Sequence, residues 1–358
     1  MTVALQLGAL ALGVASATAQ PVGEAACREV TLRRAKPMMG TLVSVSVRGC
    51  ASPVLEERVR GAFVEAARLS AILSEWEPAS PVSRVNAQAG RQAIPVPPEL
   101  YEVLQTALQV SERTSGAFDV TWAALGDAWR FDRTPPRVPS ADEVERLRAL
   151  VGYRRLALDP AARSAFLERP GMRIGLGGIA KGYVAEAMAD LLVRAGVGDV
   201  LVAASGDIAA RGCNGDRPWT VAVRHPRAAS RQLAVVELQD ESISTSGDYE
   251  RFFVQGGRRY HHILDPATGY PAEGTASVTV VAPHGAMADA LATGLFVLGP
   301  ERGAAAARGL PSVSALLIGD DGAVHVVGDA RRFWMMQLTT KLNPFGCRHR
   351  SRLPLRDR

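Results

Sequence analysis

The sequence predicts a single α+β domain of mixed strands and a few amphipathic helices. Three observations carry this. Predicted strands outnumber helices, they lack the βαβα rhythm of a doubly wound sheet, and no linker is long enough to separate two independent domains. Of 358 residues, 47% are hydrophobic, ample for one sizeable core. The net charge of +5 is modest and unclustered in the body, so nucleic acid is not expected as a partner.

The chain opens with VALQLGALALGVA at residues 3–15, an apolar run too short to span a membrane comfortably. Ala17-Thr18-Ala19 follows as a small-residue cleavage signature, so residues 1–19 read as an export signal, although no Lys or Arg precedes the run. The mature protein is therefore expected in the periplasm or otherwise exported. Cys27 follows Glu24-Ala25-Ala26, with Glu24 where a lipoprotein signal carries an apolar residue. Lipid anchoring at Cys27 is not expected, and membrane association has little support. Cys27, Cys50, Cys213 and Cys347 show neither metal-ligand spacing nor a CxxC. A Cys27–Cys50 bond is open to an exported chain, and the sequence leaves the pairing undecided.

The folded part is expected over residues 31–338. Leu42, Val43, Val45 and Val47 alternate with serines as a strand with one wet face, led in by Gly40. Val54–Leu73 is an amphipathic helix, with Val59, Ala62, Phe63, Ala66, Leu69 and Ile72 on one side. SEWEPASPVSRVNAQAG reads as a polar, proline-bearing loop. A second helix, Pro98–Glu112, leads to Ser115–Thr121, where Gly116 suits a helix stop and Phe118 and Asp119 set a ring and an acid on a loop. Arg130–Ser140 is a proline-rich loop and Ala141–Leu150 a third helix.

In RIGLGGIAKGYVAEAMADLLVRAGVGDVLVAASGD, from Arg173 to Asp207, a Gly177-Gly178 turn enters a helix with Lys181 in its first turn. Such a turn lets backbone N–H groups approach a phosphate, and the helix dipole favours an anion there. Val200–Ala204 follows as a buried strand. Trp219–Val223 and Ala234–Leu238 read as paired strands, and Arg251–Val254 with Arg259–Leu264 as a hairpin around Gln255-Gly256-Gly257. His261 and His262 fall on opposite faces of its second strand. Ser277–Ala282 is a strand and Met287–Leu298 a small-residue helix. Strands Ala315–Ile318, Ala323–Val327 and Phe333–Leu338 end the fold, and the basic stretch 339–358 reads as a disordered tail.

Asp289 and Thr293 stand one helical turn apart on one face. A carboxylate and a hydroxyl are hard donors suited to Mg²⁺, completed by carbonyls, water and substrate phosphate. The competing reading is that Thr293 bonds back to the Asp289 carbonyl. His262, preceding Ile263-Leu264-Asp265, is the better placed histidine for a general base. There is neither a nucleophile elbow nor a GxxxxGK[ST], so acyl transfer has little support and a P-loop is excluded.

Eight ordered motifs then carry a resemblance: PMMGT at Pro37–Thr41, SEWEPASPVSRVN at Ser74–Asn86, SGAFD at Ser115–Asp119, LGGIAKGY at Leu176–Tyr183, SGD at Ser205–Asp207, TSGDY at Thr245–Tyr249, HHILDPATGYP at His261–Pro271 and ADALATGLFVLG at Ala288–Gly299. Together they closely resemble the ApbE family of flavin transferases. The resemblance implies a single T-fold-like α+β unit. It also implies Mg²⁺-dependent transfer of FMN from FAD to a Thr or Ser hydroxyl of an exported electron-transfer protein, with release of AMP. The family's flavin contacts fall on Met39, Ala117, Phe118, Asp119, Lys181 and Ile263. Its metal positions fall on Gly178 (through the carbonyl), Asp289 and Thr293, and its catalytic histidine on His262. One departure stands out: where the family often has an acid before LGGIAKGY, this chain has Gly175. Two other outcomes use the same residues: an FAD pyrophosphatase yielding FMN and AMP, and a non-catalytic FAD-binding protein.

Overall fold

A computed structural model describes residues 27–129, 131 and 136–335. The predicted export signal, the basic tail and the last residues of the final predicted strand lie outside the described residues. In chain order the elements are β1 (Glu29–Met38), β2 (Thr41–Cys50), α1 (Pro53–Leu73), α2 (Pro81–Ala87), β3 (Ile94–Pro95), α3 (Pro98–Arg113), α4 (Ala141–Arg148), β4 (Leu156–Asp159) and β5 (Ser164–Leu167). Then come α5 (Ala180–Arg194), β6 (Asp199–Ala204), β7 (Asp207–Arg211), β8 (Trp219–His225), β9 (Ala228–Leu238), β10 (Ser242–Gly247), β11 (Phe252–Gln255), β12 (Arg258–His261) and β13 (Thr275–Ala282). The last are α6 (Gly285–Leu298), α7 (Pro300–Arg308), β14 (Ser314–Gly319), β15 (Val324–Val327) and β16 (Phe333–Met335).

Eight strands form one antiparallel sheet in the order β1-β2-β6-β7-β10-β13-β14-β15. On one face α1, α5 and α6 bury the main core, with Val43, Val45, Val47, Val200 and Val202 meeting Leu69, Val184, Met188, Leu291 and Phe296. On the other lies the small sheet β16-β9-β8, where Trp219, Val236, Leu238 and Phe333 pack on Ile243, Val281, Leu316 and Ile318. Because both faces are covered, β13 is buried at every position. This α+β layering is the predicted class.

The predicted helices form where expected: the apolar stripes of α1, α3, α5 and α6 face the main core, and Leu147 of α4 packs with Leu125, Trp129 and Leu264. Ser52 caps α1, its Oγ accepting from the Leu55 N–H at 3.2 Å.

The differences lie in polar segments. The stretch before Gly40 is a strand as well: β1 pairs with β2 along its whole length around a Met39-Gly40 turn, both residues having positive φ. An exposed edge strand carrying Arg33, Arg34 and Lys36 has no hydropathy pattern to announce it. The segment after α1, expected as loop throughout, contains α2, capped by Ser80, which drives Val82 and Val85 into the core. β7 and β10, in the middle of the sheet, α7, and the small β3-β5-β4 sheet were likewise not expected.

A disulfide joins Cys27 to Cys50 across the open end of the β1–β2 hairpin, and no cysteine among the described residues is free. The Cys27 sulfur is thereby committed. No described helix is long and apolar enough to cross a membrane.

Candidate active site

The site forms where α5 and α6 cross. Ile179, at the start of α5, offers no side-chain cap. The Gly182 N–H donates instead to Asp289 Oδ2 on α6, at 3.1 Å. In return Glu186 of α5 accepts the Gly285 N–H at the start of α6, at 2.7 Å. Each helix thus carries the carboxylate that caps the other, where the helix dipole favours negative charge. Two glycines permit this approach. A Cβ on Gly182 would lie 2.1 Å from the Gly285 carbonyl oxygen, and one on Gly285 2.2 Å from that of Gly182.

Asp207 enters from the β6–β7 turn, in which Ser205 takes a positive φ. The Lys181 ammonium lies 2.8 Å from Asp207 Oδ2 and 3.7 Å from Asp289 Oδ2, and it also donates to the Gly177 carbonyl at 3.3 Å. Burial alone would press the Lys181 pKa down, but Asp207 and Asp289 reverse this and raise it. Asp289 is pushed well above the usual carboxylate range, first by burial and then by the charge of Asp207. Two buried carboxylates thus face one ammonium, and Asp289 holds its proton up to about pH 7.

The helix-facing residues of β10 complete the floor. The Ser244 hydroxyl donates to Asp207 Oδ1, and Ser246 Oγ meets Thr293 Oγ1 at 3.2 Å. Thr293 is therefore engaged across to the sheet. Gly178 adjoins it, since a Cβ there would stand 3.1 Å from Thr293 Oγ1 and 3.4 Å from the Phe118 ring. The predicted metal set of Gly178, Asp289 and Thr293 comes together as one carboxylate, one hydroxyl and one backbone segment. Hard oxygens beside two buried carboxylates suit a divalent cation that takes its remaining ligands from substrate and water. Among the described residues no group of three or more His, Cys, Asp or Glu side chains gathers. Such a site is thus not a protein-only cage.

The two neighbouring histidines divide as their alternation predicts. His261 is buried, its Nε2 contacting the Ala272 carbonyl at 2.8 Å and its Nδ1 accepting from the Ile263 N–H at 3.3 Å, with Phe296 edge-on. With both nitrogens occupied it is a packing residue. The His262 backbone N–H donates to the Arg251 carbonyl at 3.0 Å, but its buried Nδ1 has no partner among the described residues. Burial first, then His261, Arg251 and Lys181, press its pKa down to about 4. The residue is half-buried and its ring neutral at physiological pH, as a base must be.

The predicted flavin contacts are distributed more widely. Met39 sits at the β1–β2 turn beside Gly40, where a Cβ would be 3.6 Å from Arg251 Nη2, which turns the hairpin toward the His262 side. Ala117 and Phe118 follow the end of α3, with Phe118 packed against Gly178 and Gly294. The Asp119 carboxylate accepts from the Thr121 N–H and hydroxyl and from the Tyr153 N–H, at 2.6 to 2.8 Å. Its side chain holds the loop, and burial raises its pKa. Ile263 is buried beside the two histidines.

Sequence reasoning did not single out Asp207, Ser244, Ser246 or Arg251 as site residues, although the SGD and TSGDY motifs contain or adjoin them. Their role depends on β7 and β10 lying side by side, which hydropathy did not reveal.

Comparison with known proteins agrees with this arrangement. Residues 39–317 match the ApbE family. The FAD:protein FMN transferase of Treponema pallidum is 36% identical over 323 residues, covering 85% of this chain and 88% of that protein. The Escherichia coli K12 protein of the same name is 32% identical over 284 residues, 76% of this chain and 80% of its own length. Among solved structures, the ApbE protein of Thermotoga maritima superposes with a TM-score of 0.77 at 30% identity, covering 86% of this chain and 99% of that one. The flavin transferase ApbE of Vibrio cholerae gives 0.76 at 30% identity, covering 86% and 100%. With the match spanning most of the domain and the same layered fold beneath it, the chain belongs to the ApbE family.

Proposed function

We propose that this protein is an FAD:protein FMN transferase. It moves FMN from FAD onto a Thr or Ser hydroxyl of an exported electron-transfer protein and releases AMP. The observation that carries the reading is the Lys181–Asp207–Asp289 cluster, two buried carboxylates on one ammonium, next to a histidine held neutral.

The acceptor oxygen attacks the FMN phosphorus and the bond to the bridging oxygen breaks, so AMP leaves with that oxygen. His262 takes the acceptor proton. Lys181, in the first turn of α5, faces the pyrophosphate, where its ammonium and the positive end of the helix dipole stabilise charge. Gly178, Asp289 and Thr293 would hold Mg²⁺, which supplies charge neutralisation at the pyrophosphate. Asp207, fixed by Ser244, sets the Lys181 ammonium in place. Positioning and electrostatics suffice for phosphoryl transfer, and the nucleophile belongs to the partner. The Cys27–Cys50 disulfide supports an oxidising, exported location.

The test is the intact mass of a candidate exported acceptor after incubation with the protein, FAD and Mg²⁺. The expected gain is FMN less water, lost with EDTA and absent when the acceptor's hydroxyl residue is replaced by Ala. AMP release at the same rate without acceptor would replace the transferase with a pyrophosphatase. Neither product would leave a flavin-binding protein.

A further inference from the structure

Gly175 removes a side chain from the loop that enters α5, and the space is filled from elsewhere in the chain. A Cβ at 175 would meet Glu75 Oε2 at 2.7 Å, as well as Ala123 Cβ at 2.8 Å and Trp122 Cε2 at 3.1 Å. Glu75 comes from the segment just after α1 and reaches across to accept the Leu176 N–H through Oε2 at 2.7 Å.

The loop itself makes little demand for a carboxylate. The Gly175 N–H donates to the Val120 carbonyl at 2.8 Å, and its carbonyl accepts from Trp122 Nε1 at 3.1 Å. Ile174 is held in both directions by Asn86, at 2.7 and 3.0 Å. Only the Leu176 N–H depends on Glu75, and a neutral acceptor would satisfy it. A half-buried carboxylate with no ion-pair partner is a costlier acceptor for one N–H than a neutral group would be. Arg173, whose charge reaches Glu75, is paired with Asp127 at 2.9 Å. Burial accordingly raises the Glu75 pKa. Its second oxygen, Oε1, has no hydrogen-bond donor among the described residues. Beside it Trp76 stands 76% exposed, a flat apolar surface turned to solvent. Three residues along the same loop lies Gly178, at the α5–α6 crossing.

We propose that Glu75, which takes up the space beside Gly175, is a substrate-recognising residue whose Oε1 accepts a hydrogen bond from an N–H or O–H group of FAD. This rests on the functional reading above. The donor is an amine or hydroxyl of the adenosine half, or a ring N–H of the flavin half.

The test measures FAD binding to the full chain by quenching of flavin fluorescence, with Glu75→Gln and Glu75→Ala against wild type and thermal melting of each. Gln keeps an acceptor for Leu176 and the packing, but loses the charge. Both variants are expected to weaken FAD binding tenfold or more, the scale of a hydrogen bond to a charged group, while Glu75→Gln melts with wild type. Competition by ADP and by FMN is expected to show the loss with one of them only, which identifies the half contacted. Unchanged FAD binding in Glu75→Gln overturns the proposal, including the case where Glu75→Ala alone is impaired, because that marks a loop support. A loss shared equally by ADP and FMN, or shown by neither, overturns it too. If wild type itself does not bind FAD, the transferase reading fails, a result distinct from a defect confined to the Glu75 variants.

Discussion

Replacing Gly182 by Ala is the sharpest test of how the fold builds the site. Within a helix this substitution ordinarily stabilises by up to about 1 kcal/mol. Here the new methyl would stand 2.1 Å from the Gly285 carbonyl oxygen and 2.8 Å from Asp289 Cβ. Carbon and oxygen in ordinary contact are roughly 3.4 Å apart, so α5 and α6 must separate by more than about 1 Å. Overpacking of this kind costs about 1–3 kcal/mol, and losing the charge-assisted bond from Gly182 to Asp289 adds about 1.5–3 kcal/mol. Against the propensity gain, the net is a loss of about 3 kcal/mol, or roughly 5 °C in melting temperature for a domain of this size. Gly61→Ala is the control: it lies in α1 with nothing within 4 Å of the added methyl, so the same substitution is expected to stabilise. Calorimetric melting reads both. Because Asp289 moves with α6, FMN transfer by Gly182→Ala should fall about 100-fold in the protein that remains folded. A Gly182→Ala variant melting at or above wild type, or melting low with transfer intact, would refute the account.

Asp289→Asn keeps an acceptor for the Gly182 N–H but removes the charge, so it should fold normally and lose transfer at least 100-fold, read by acceptor mass and thermal melting. At saturating Mg²⁺, His262 should give transfer no acid limb near pH 6.5, and the rate should decline only toward about 4, where the ring takes its proton. The same depression means the unfolded chain binds that proton first as pH falls. Stability should therefore drop between pH 6.5 and about 4, by at most about 3 kcal/mol, and denaturant titrations of His262→Gln should show a flatter slope there. Removing the disulfide in a Cys27→Ser/Cys50→Ser variant opens a 23-residue separation and should cost about 3 kcal/mol in denaturant titrations while leaving the transfer rate unchanged.

What could be read from the sequence depended on which side of each element meets water. The stripes of α1, α3, α5 and α6 face one core, so periodicity located them, and the same helical spacing placed Asp289 and Thr293 on one face. β10 carries Ser242, Ser244 and Ser246 toward the helices because two of these hydroxyls hold Asp207 and Thr293. Its strand pattern was therefore overwritten by the chemistry it supports. Asp207 was visible as a motif, but its role depends on pairing between β7 and β10, a long-range contact. Glu75 lay in a segment read as polar loop, and its approach to Gly175 joins positions a hundred residues apart. Local periodicity carries no information about such a meeting.

The charge pattern also sets how the ligands should depend on one another. Lys181 neutralises one of the two carboxylates, and the other lacks a full partner, so Asp289 retains its proton to higher pH than an ordinary carboxylate. A divalent cation at Asp289 would displace that proton and leave the cluster with an excess positive charge. Only then is the cluster matched to a pyrophosphate. Without the cation, a phosphate brought to this crossing meets Asp289 and Asp207 as well as Lys181. FAD and Mg²⁺ are accordingly expected to bind cooperatively, each raising the other's affinity by the same factor, and Mg²⁺ binding should release a proton near neutral pH. Titrating FAD by fluorescence at several Mg²⁺ concentrations measures the factor, and repeating this in Asp289→Asn should remove most of it. Binding of FAD that ignores Mg²⁺ in wild type would mean that the pyrophosphate does not sit over Lys181 and Asp289, and the α5–α6 crossing would lose its claim to be the reacting centre.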